Sequence, residues 1–354
     1  MKNDKQFMKR NSIFLFLLFF LIAGCSKESK TNPSTKGTDI RKPFSWGHQQ
    51  TIYVFADDNV WKYAEPHLRK SLERFQFTTE NEKFFEVKKA PINSIEQFFK
   101  FNNLVFFCDM ESDEEVSSYV KSIMGDKIAE EIKVNAVAMY PVENLWARNQ
   151  FILFIVGDNE RDLLSFNILQ ANTTFDLFKD KLFERIEQQV YRQKTYAENT
   201  FQKFPWSLQL PKNYIVYKQD DANRFISFIA RLKNKPDRFI SVYYEKMTQD
   251  NFNKEWLKQK RAELAWNYYE EDEFADKDIK LEKNMLGKYE CWKLSGRWQN
   301  KKFVVGGAFR SFAFYDEKSQ TAFLIDNSVY FPTGYKLPAL IELEVISRSI
   351  VIRN

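Results

Sequence analysis

KYECWKLSGRWQNKKFVVGGAFRSFAFYDEKSQTAFLIDNSVYF, residues 288–331, decides the fold of the second half of this chain. Three apolar runs, 288–297, 302–314 and 321–331, are separated by Gln299-Asn300-Lys301 and by the polar stretch 316–319. Runs of this length between turn residues predict strands, and connections this short permit only antiparallel neighbours. The stretch therefore reads as a meander. Upstream, Arg224 to Leu232 and Arg238 to Tyr244 flank Asn234-Lys235-Pro236-Asp237, the pattern of a hairpin. Helical spacing of Phe252, Trp256 and Leu264 predicts a helix over 250–266. Leu340, Leu343, Ile346 and Ile350 predict a closing helix over 337–351.

The first half alternates instead. Strand patterns at 51–56, 84–87, 104–108, 136–140 and 151–156 are interleaved with helical ones at 60–75, 95–99 and 113–124. A nearly forty-residue helical stretch then runs over 159–196, with a break expected at Asn172-Thr173-Thr174. Leu104-Val105-Phe106-Phe107-Cys108 is apolar throughout, as in a strand covered on both faces. The fold class expected is α+β: an N-terminal α/β sandwich domain over 45–200, then a mainly antiparallel β-sheet domain with packing helices over 201–354.

The N-terminus carries a different signal. Lys2, Lys5, Lys9 and Arg10 precede an unbroken apolar run from Ile13 to Ala23. Eleven residues rise roughly 16 Å as a helix, about half the hydrocarbon core of a bilayer, so the run reads as a signal peptide and not a span. It ends in Leu21-Ile22-Ala23-Gly24-Cys25, the pattern of a bacterial lipobox, in which the Cys25 thiol takes the lipid before cleavage. Two or three acyl chains anchor a protein stably where one does not. Residues 25–44 are polar, with Ser, Thr, Lys and Pro, and read as a flexible tether. The expected address is the cell envelope, lipid-anchored at the outer membrane, with the periplasmic and surface faces both open.

Composition narrows the chemistry. The 354 residues include 35 Phe but only 2 His and 3 Cys, and the balance of 53 basic against 48 acidic residues gives +5. Loss of residues 1–24 removes four basic and one acidic residue, which leaves 49 against 47. A nearly neutral body gives no footprint for nucleic acid. Cys108 and Cys291 are the thiols left in the body. They are read as buried small hydrophobes, with one disulfide as the alternative in an oxidising envelope.

Gly296-Arg297-Trp298, Gly306-Gly307-Ala308-Phe309 and Tyr330-Phe331-Pro332 followed by Lys336 resemble the motifs of a family of Bacteroidota lipoproteins, domain-of-unknown-function family 4837. Leu210-Pro211-Lys212-Asn213-Tyr214 and the run from Phe225 also fit its opening, so the resemblance covers about 205–350. It implies the domain layout and the envelope location. It lends no catalytic residue.

No GxSxG, HExxH, P-loop or dinucleotide fingerprint occurs, and His48 and His67 stand alone. The acidic runs 109–115 and 270–273 read as a helix start and a solvated loop, against a calcium site or a carboxylate pair. Trp206, Trp256, Trp266 and Trp292 read as core. Adjacent Gly306 and Gly307 inside a strand mark a bulge or a close approach. With Arg297, Trp298, Phe309 and Arg310 they form a candidate ligand groove for a peptide or glycan. The function expected is a non-enzymatic binding or assembly module without cofactor or metal, its partners being the membrane through Cys25 and an envelope protein or glycan. The alternatives are an envelope hydrolase with a carboxylate pair and a surface glycan binder.

Overall fold

Strand β5 (Asn103–Asp109) and strand β7 (Phe151–Gly157) are buried at every position, so each needs cover on both faces. The computed structural model, which describes residues 42–125, 131–132 and 135–353, supplies it. The expected signal peptide, Cys25 and the tether as far as residue 41 lie outside the described residues. Strands β1 (Thr51–Phe55) and β4 (Glu86–Lys89) lie parallel with β5 and β7 in the order β4-β1-β5-β7-β6. β6 (Val137–Glu143) closes the edge antiparallel. Helices α1 (Asp58–Leu72), α3 (Glu160–Leu169) and α4 (Ala171–Val190) cover one face. Helix α2 (Glu115–Met124) and the 3₁₀ turn Ile92–Phe98 cover the other. A small hairpin, β2 (Phe75–Phe77) and β3 (Asn81–Lys83), precedes β4.

The acidic run at 109–115 is absorbed by the start of α2. Asp113 pairs with Lys121 at 3.2 Å, and Glu114 accepts from Asn59 at 2.9 Å. The helix takes its cap from outside: Asp57, just past β1, accepts from the amides of Val116 and Ser117 at 2.8 and 3.0 Å.

In the second half, β8 (Trp206–Ser207) and β16 (Val351–Ile352) form a small antiparallel pair. The remaining strands are β9 (Ile215–Asp220), β10 (Phe225–Ala230), β11 (Asp237–Lys246), β12 (Ile279–Leu286), β13 (Tyr289–Asn300), β14 (Val305–Asp316) and β15 (Thr321–Tyr330). They form one antiparallel sheet in the order β12-β13-β14-β15-β11-β10-β9. Helix α5 (Lys254–Tyr268) packs on one face and α6 (Leu337–Arg348) on the other.

The α6 face joins the core of the first half, so one apolar cluster runs from Ile52 and Val54 to Phe312 and Ile346. Polar contacts reinforce that junction. Glu82 of β3 accepts from the amides of Lys336 and Leu337 at 2.8 and 2.9 Å, which caps α6. Arg310 of β14 donates to buried Glu344 of α6 at 2.9 Å and to Gln76 of β2 at 3.3 Å.

Several expectations are revised. The helical stretch 159–196 breaks at Gln170, and its helical part ends at Val190. Trp206 is fully buried, but Trp266 points outward from α5 and is 55% exposed. Strands β9 and β12, at the two edges of the large sheet, were not expected. Cys108 and Cys291 are free thiols in different core clusters, with no disulfide between them. Burial pushes both up to about 12, so they are held as thiols and act as small hydrophobes.

Candidate functional site

Alternation along the strands of the large sheet sends every second side chain toward α5. On four adjacent strands the register aligns Ser227 with Ser241, Ser241 with Asp326, and Asp326 with Ser311. This polar row crosses the middle of the sheet and is buried at every position. Arg261 of α5 lies over it, fully buried, with Nε 3.5 Å from an Asp326 oxygen. Its guanidinium stacks on Phe309 at 4.1 Å and faces Phe274 and Tyr269 at 5.3 and 5.6 Å. Stacking of this kind suits Arg and not Lys, because the planar ion is weakly hydrated.

The polar row is incompletely satisfied. Asp326 accepts from the Ser311 hydroxyl at 2.5 Å, yet its second oxygen has no partner. None of the three Arg261 nitrogens makes a hydrogen bond of good geometry, and the Tyr269 hydroxyl lies beside Ser241 and Asp326. Burial and the nearby Asp326 charge push Tyr269 well above the usual phenol range. Buried polar atoms left without partners are uncommon and each calls for a reason.

Tyr269 also lines a cavity of about 270 Å³ at the edge of this row. Its walls come from β9 (Tyr217), β11 (Asp237, Phe239), β13 (Trp298, Asn300), β14 (Val305), β15 (Ser328, Tyr330), the turn carrying Phe303, and Arg231 just past β10. The segment after α5 supplies Tyr269, Glu270 and Asp272 as a rim. Glu270 and Glu271 hold left-handed backbone, φ 58° and 69°, where most side chains are disfavoured. Asn300 fixes that rim: its amide donates to the Glu270 carbonyl at 2.7 Å and to Asp272 at 2.9 Å. Burial lifts the Asp272 carboxyl from its usual 3.8 to about 6, against the lowering effect of the Asn300 bond. Trp298 is 7% exposed, and its indole N–H has no partner.

Two other hollows differ in this respect. One of about 930 Å³ over β12 and β13, and one of about 540 Å³ at the ends of β1 and β4, contain no buried polar atom without a partner. A third, of about 490 Å³, does hold two such atoms, Asn213 Oδ1 and Arg238 Nε, but its arginine is already bonded to both oxygens of Glu342.

The residues expected to form one groove are divided by strand alternation. Trp298 and Phe309 face α5, where Trp298 lines the cavity and Phe309 lies beneath Arg261. Arg297 and Arg310 face the other way: Arg297 pairs with Asp278 and covers Phe77, and Arg310 is locked to Glu344. A single groove holding both arginines and Trp298 therefore does not form. The glycines serve close approach. A Cβ at Gly307 would lie 2.1 Å from the Val329 carbonyl oxygen and 2.6 Å from the Trp298 ring; at Gly306 it would lie 2.9 Å from the Trp298 carbonyl oxygen. His48 and His67 lie outside the cavity.

The cavity and the polar row draw all their residues from Tyr217 to Tyr330. Residues 193–349 match the family described as Domain of unknown function (DUF4837). This half of the chain belongs to that family. The DUF4837 segment carries the whole of the site, and residues 45–191 match a second family, Domain of unknown function (DUF8532). No curated protein matches the chain. Among solved structures, a protein of Bacteroides thetaiotaomicron VPI-5482 is similar at 13% identity and TM-score 0.26, covering 42% of this chain. The chain spans 46% of that protein's length. LpqN of Mycobacterium tuberculosis, described as involved in cell envelope biogenesis, is similar at 12% identity and TM-score 0.31, over 64% of this chain and 97% of LpqN. The Ran-binding protein Mog1p of Saccharomyces cerevisiae is similar at 10% identity and TM-score 0.31, over 42% of this chain and 90% of Mog1p. Likeness at this level gives DUF4837 no functional guide.

Proposed function

We propose that this chain is a lipid-anchored cell-envelope protein whose body is a non-catalytic binding module, with the α5-side cavity as its ligand site. The anchor is argued from sequence: a basic flank, a short apolar run and Ala23-Gly24-Cys25. No helix among the described residues is long and apolar enough to cross a membrane. The observation that carries the binding role is the cavity itself. Aromatic walls surround a polar group that the protein leaves unpartnered, Trp298 Nε1, and a small ligand would complete it.

A carboxylate-pair hydrolase fits this cavity less well. Asp237 is bonded to Arg231 at 2.8 Å and Glu270 to Lys218 at 2.8 Å, which leaves Asp272 without a free carboxylate partner on the wall. A glycan platform fits less well too, since exposed Trp46, Trp266 and Tyr335 lie on separate segments.

Fatty-acid labelling of the full chain in a Gram-negative host tests the anchor: label and membrane partition are expected for wild type and absent for Cys25→Ser. Hydrogen exchange tests the site. A small-molecule extract of bacterial envelopes should slow exchange at 269–272 and 298–305 in wild type, and not in Val305→Trp, which fills the cavity. Equal exchange with and without extract would overturn the binding role.

A further inference from the structure

We propose that the cavity takes a small organic cation, an amine or quaternary ammonium on a short apolar body bearing a hydrogen-bond acceptor. The proposal deepens the binding reading above and rests on it.

Three independent features select this chemistry. First, the walls present the rings of Tyr217, Phe239, Tyr269, Trp298, Phe303 and Tyr330 to one volume of about 270 Å³. Aromatic faces carry negative potential and attract an ammonium group, most strongly where water is excluded. The volume is at the small end for ligand sites, so the body must be short. Second, the charges around the cavity do not cancel. Arg231 neutralises Asp237, Lys218 neutralises Glu270, and Arg261 neutralises Asp326 below. Asp272 makes no ion pair among the described residues; its one side-chain bond is to the neutral Asn300 amide, and the cation that acts on it, Arg261, is already set against Asp326. A ligand cation would supply the missing charge. Third, Trp298 is more than nine-tenths buried and offers an N–H that nothing in the protein accepts. That donor calls for an acceptor oxygen on the ligand, which an apolar amine alone lacks.

Arg231 and Arg261 argue against an anionic ligand, because each guanidinium already faces a carboxylate, Asp237 and Asp326 respectively. A free metabolite and a lipid headgroup both supply such an ammonium, and the cavity chemistry is the same for both.

The test is calorimetric titration of the full chain in detergent with choline, with its neutral isostere 3,3-dimethyl-1-butanol, and with glycerophosphocholine as the soluble headgroup. Choline or glycerophosphocholine should bind at least about 10-fold tighter than the neutral isostere, and the tighter of the two assigns the source. Asp272→Asn should erase that preference, and Val305→Trp should abolish binding of all three. If the isostere binds as tightly as choline, or Asp272→Asn leaves the preference intact, the cation proposal fails and the cavity remains a binding site. If no probe binds up to about 10 mM, this proposal is overturned; whether the binding module itself stands is then decided by the hydrogen-exchange test with envelope extract.

Discussion

Replacing Asp272 by Asn should make the protein more stable at neutral pH. Burial raises the half-buried Asp272 carboxyl from 3.8 to about 6, roughly two pK units, which sets an upper bound of about 3 kcal/mol at 1.36 kcal/mol per unit, since solvent screens part of it. The sign follows from the direction of the shift. Between about pH 4 and 6 the folded chain holds a proton that the unfolded chain has released, so the stability owed to Asp272 falls as pH rises through that window. Above pH 7 the folded state carries a buried anion and bears the whole cost. Asn keeps the oxygen that accepts from Asn300 at 2.9 Å and never ionises. The stability difference between Asp272→Asn and wild type should therefore be near zero at pH 4 and rise by up to about 3 kcal/mol at pH 8. Urea unfolding of both proteins at pH 4, 5, 6, 7 and 8 measures it, and the difference cancels every other titrating group. A difference that does not change with pH, or a wild type more stable than the variant at pH 8, would refute the reasoning.

Arg261→Met should cost about 3–5 kcal/mol by leaving Asp326 as an uncompensated buried charge, and adding Asp326→Asn should recover most of the loss in the same urea assay. Gly307→Ala should cost about 3 kcal/mol, because the new methyl meets the Val329 carbonyl oxygen and cannot be accommodated by a side-chain rotation; a thermal melt within 1 °C of wild type, where roughly 2–4 °C per kcal/mol is expected, would contradict it. In Cys25→Ser protein, Cys108 and Cys291 should resist maleimide until urea unfolds the chain, since both are buried with thiols raised to about 12.

The central meander was legible because its three runs are apolar and its connections polar, and β13, β14 and β15 fall where that contrast places them. Edge strands lack the contrast. β12, IKLEKNML, is charged and half exposed, and β9 turns Ile215, Val216 and Tyr217 outward at 60%, 51% and 41% exposure. Trp298 lines the cavity, while alternation sends its sequence neighbour Arg297 to the opposite face, so the two cannot share the one groove that their adjacency suggests. One signal in the sequence went unread: Asp326 interrupts TAFLIDNSVY, where a charge inside a fully buried strand requires a partner. Its partner Arg261 lies 65 positions earlier on a helix, and only the register of four strands brings Ser227, Ser241, Asp326 and Ser311 beneath it. Periodicity shows which face a residue takes within its element. It does not show which elements that face will meet.

Native mass spectrometry of the full chain, released from membranes in mild detergent, tests the central claim most directly. Wild type should carry one equivalent of a small molecule that Val305→Trp lacks, with both retaining the same lipid mass on Cys25. Spectra in which the two proteins carry identical adducts, or none, would contradict the account.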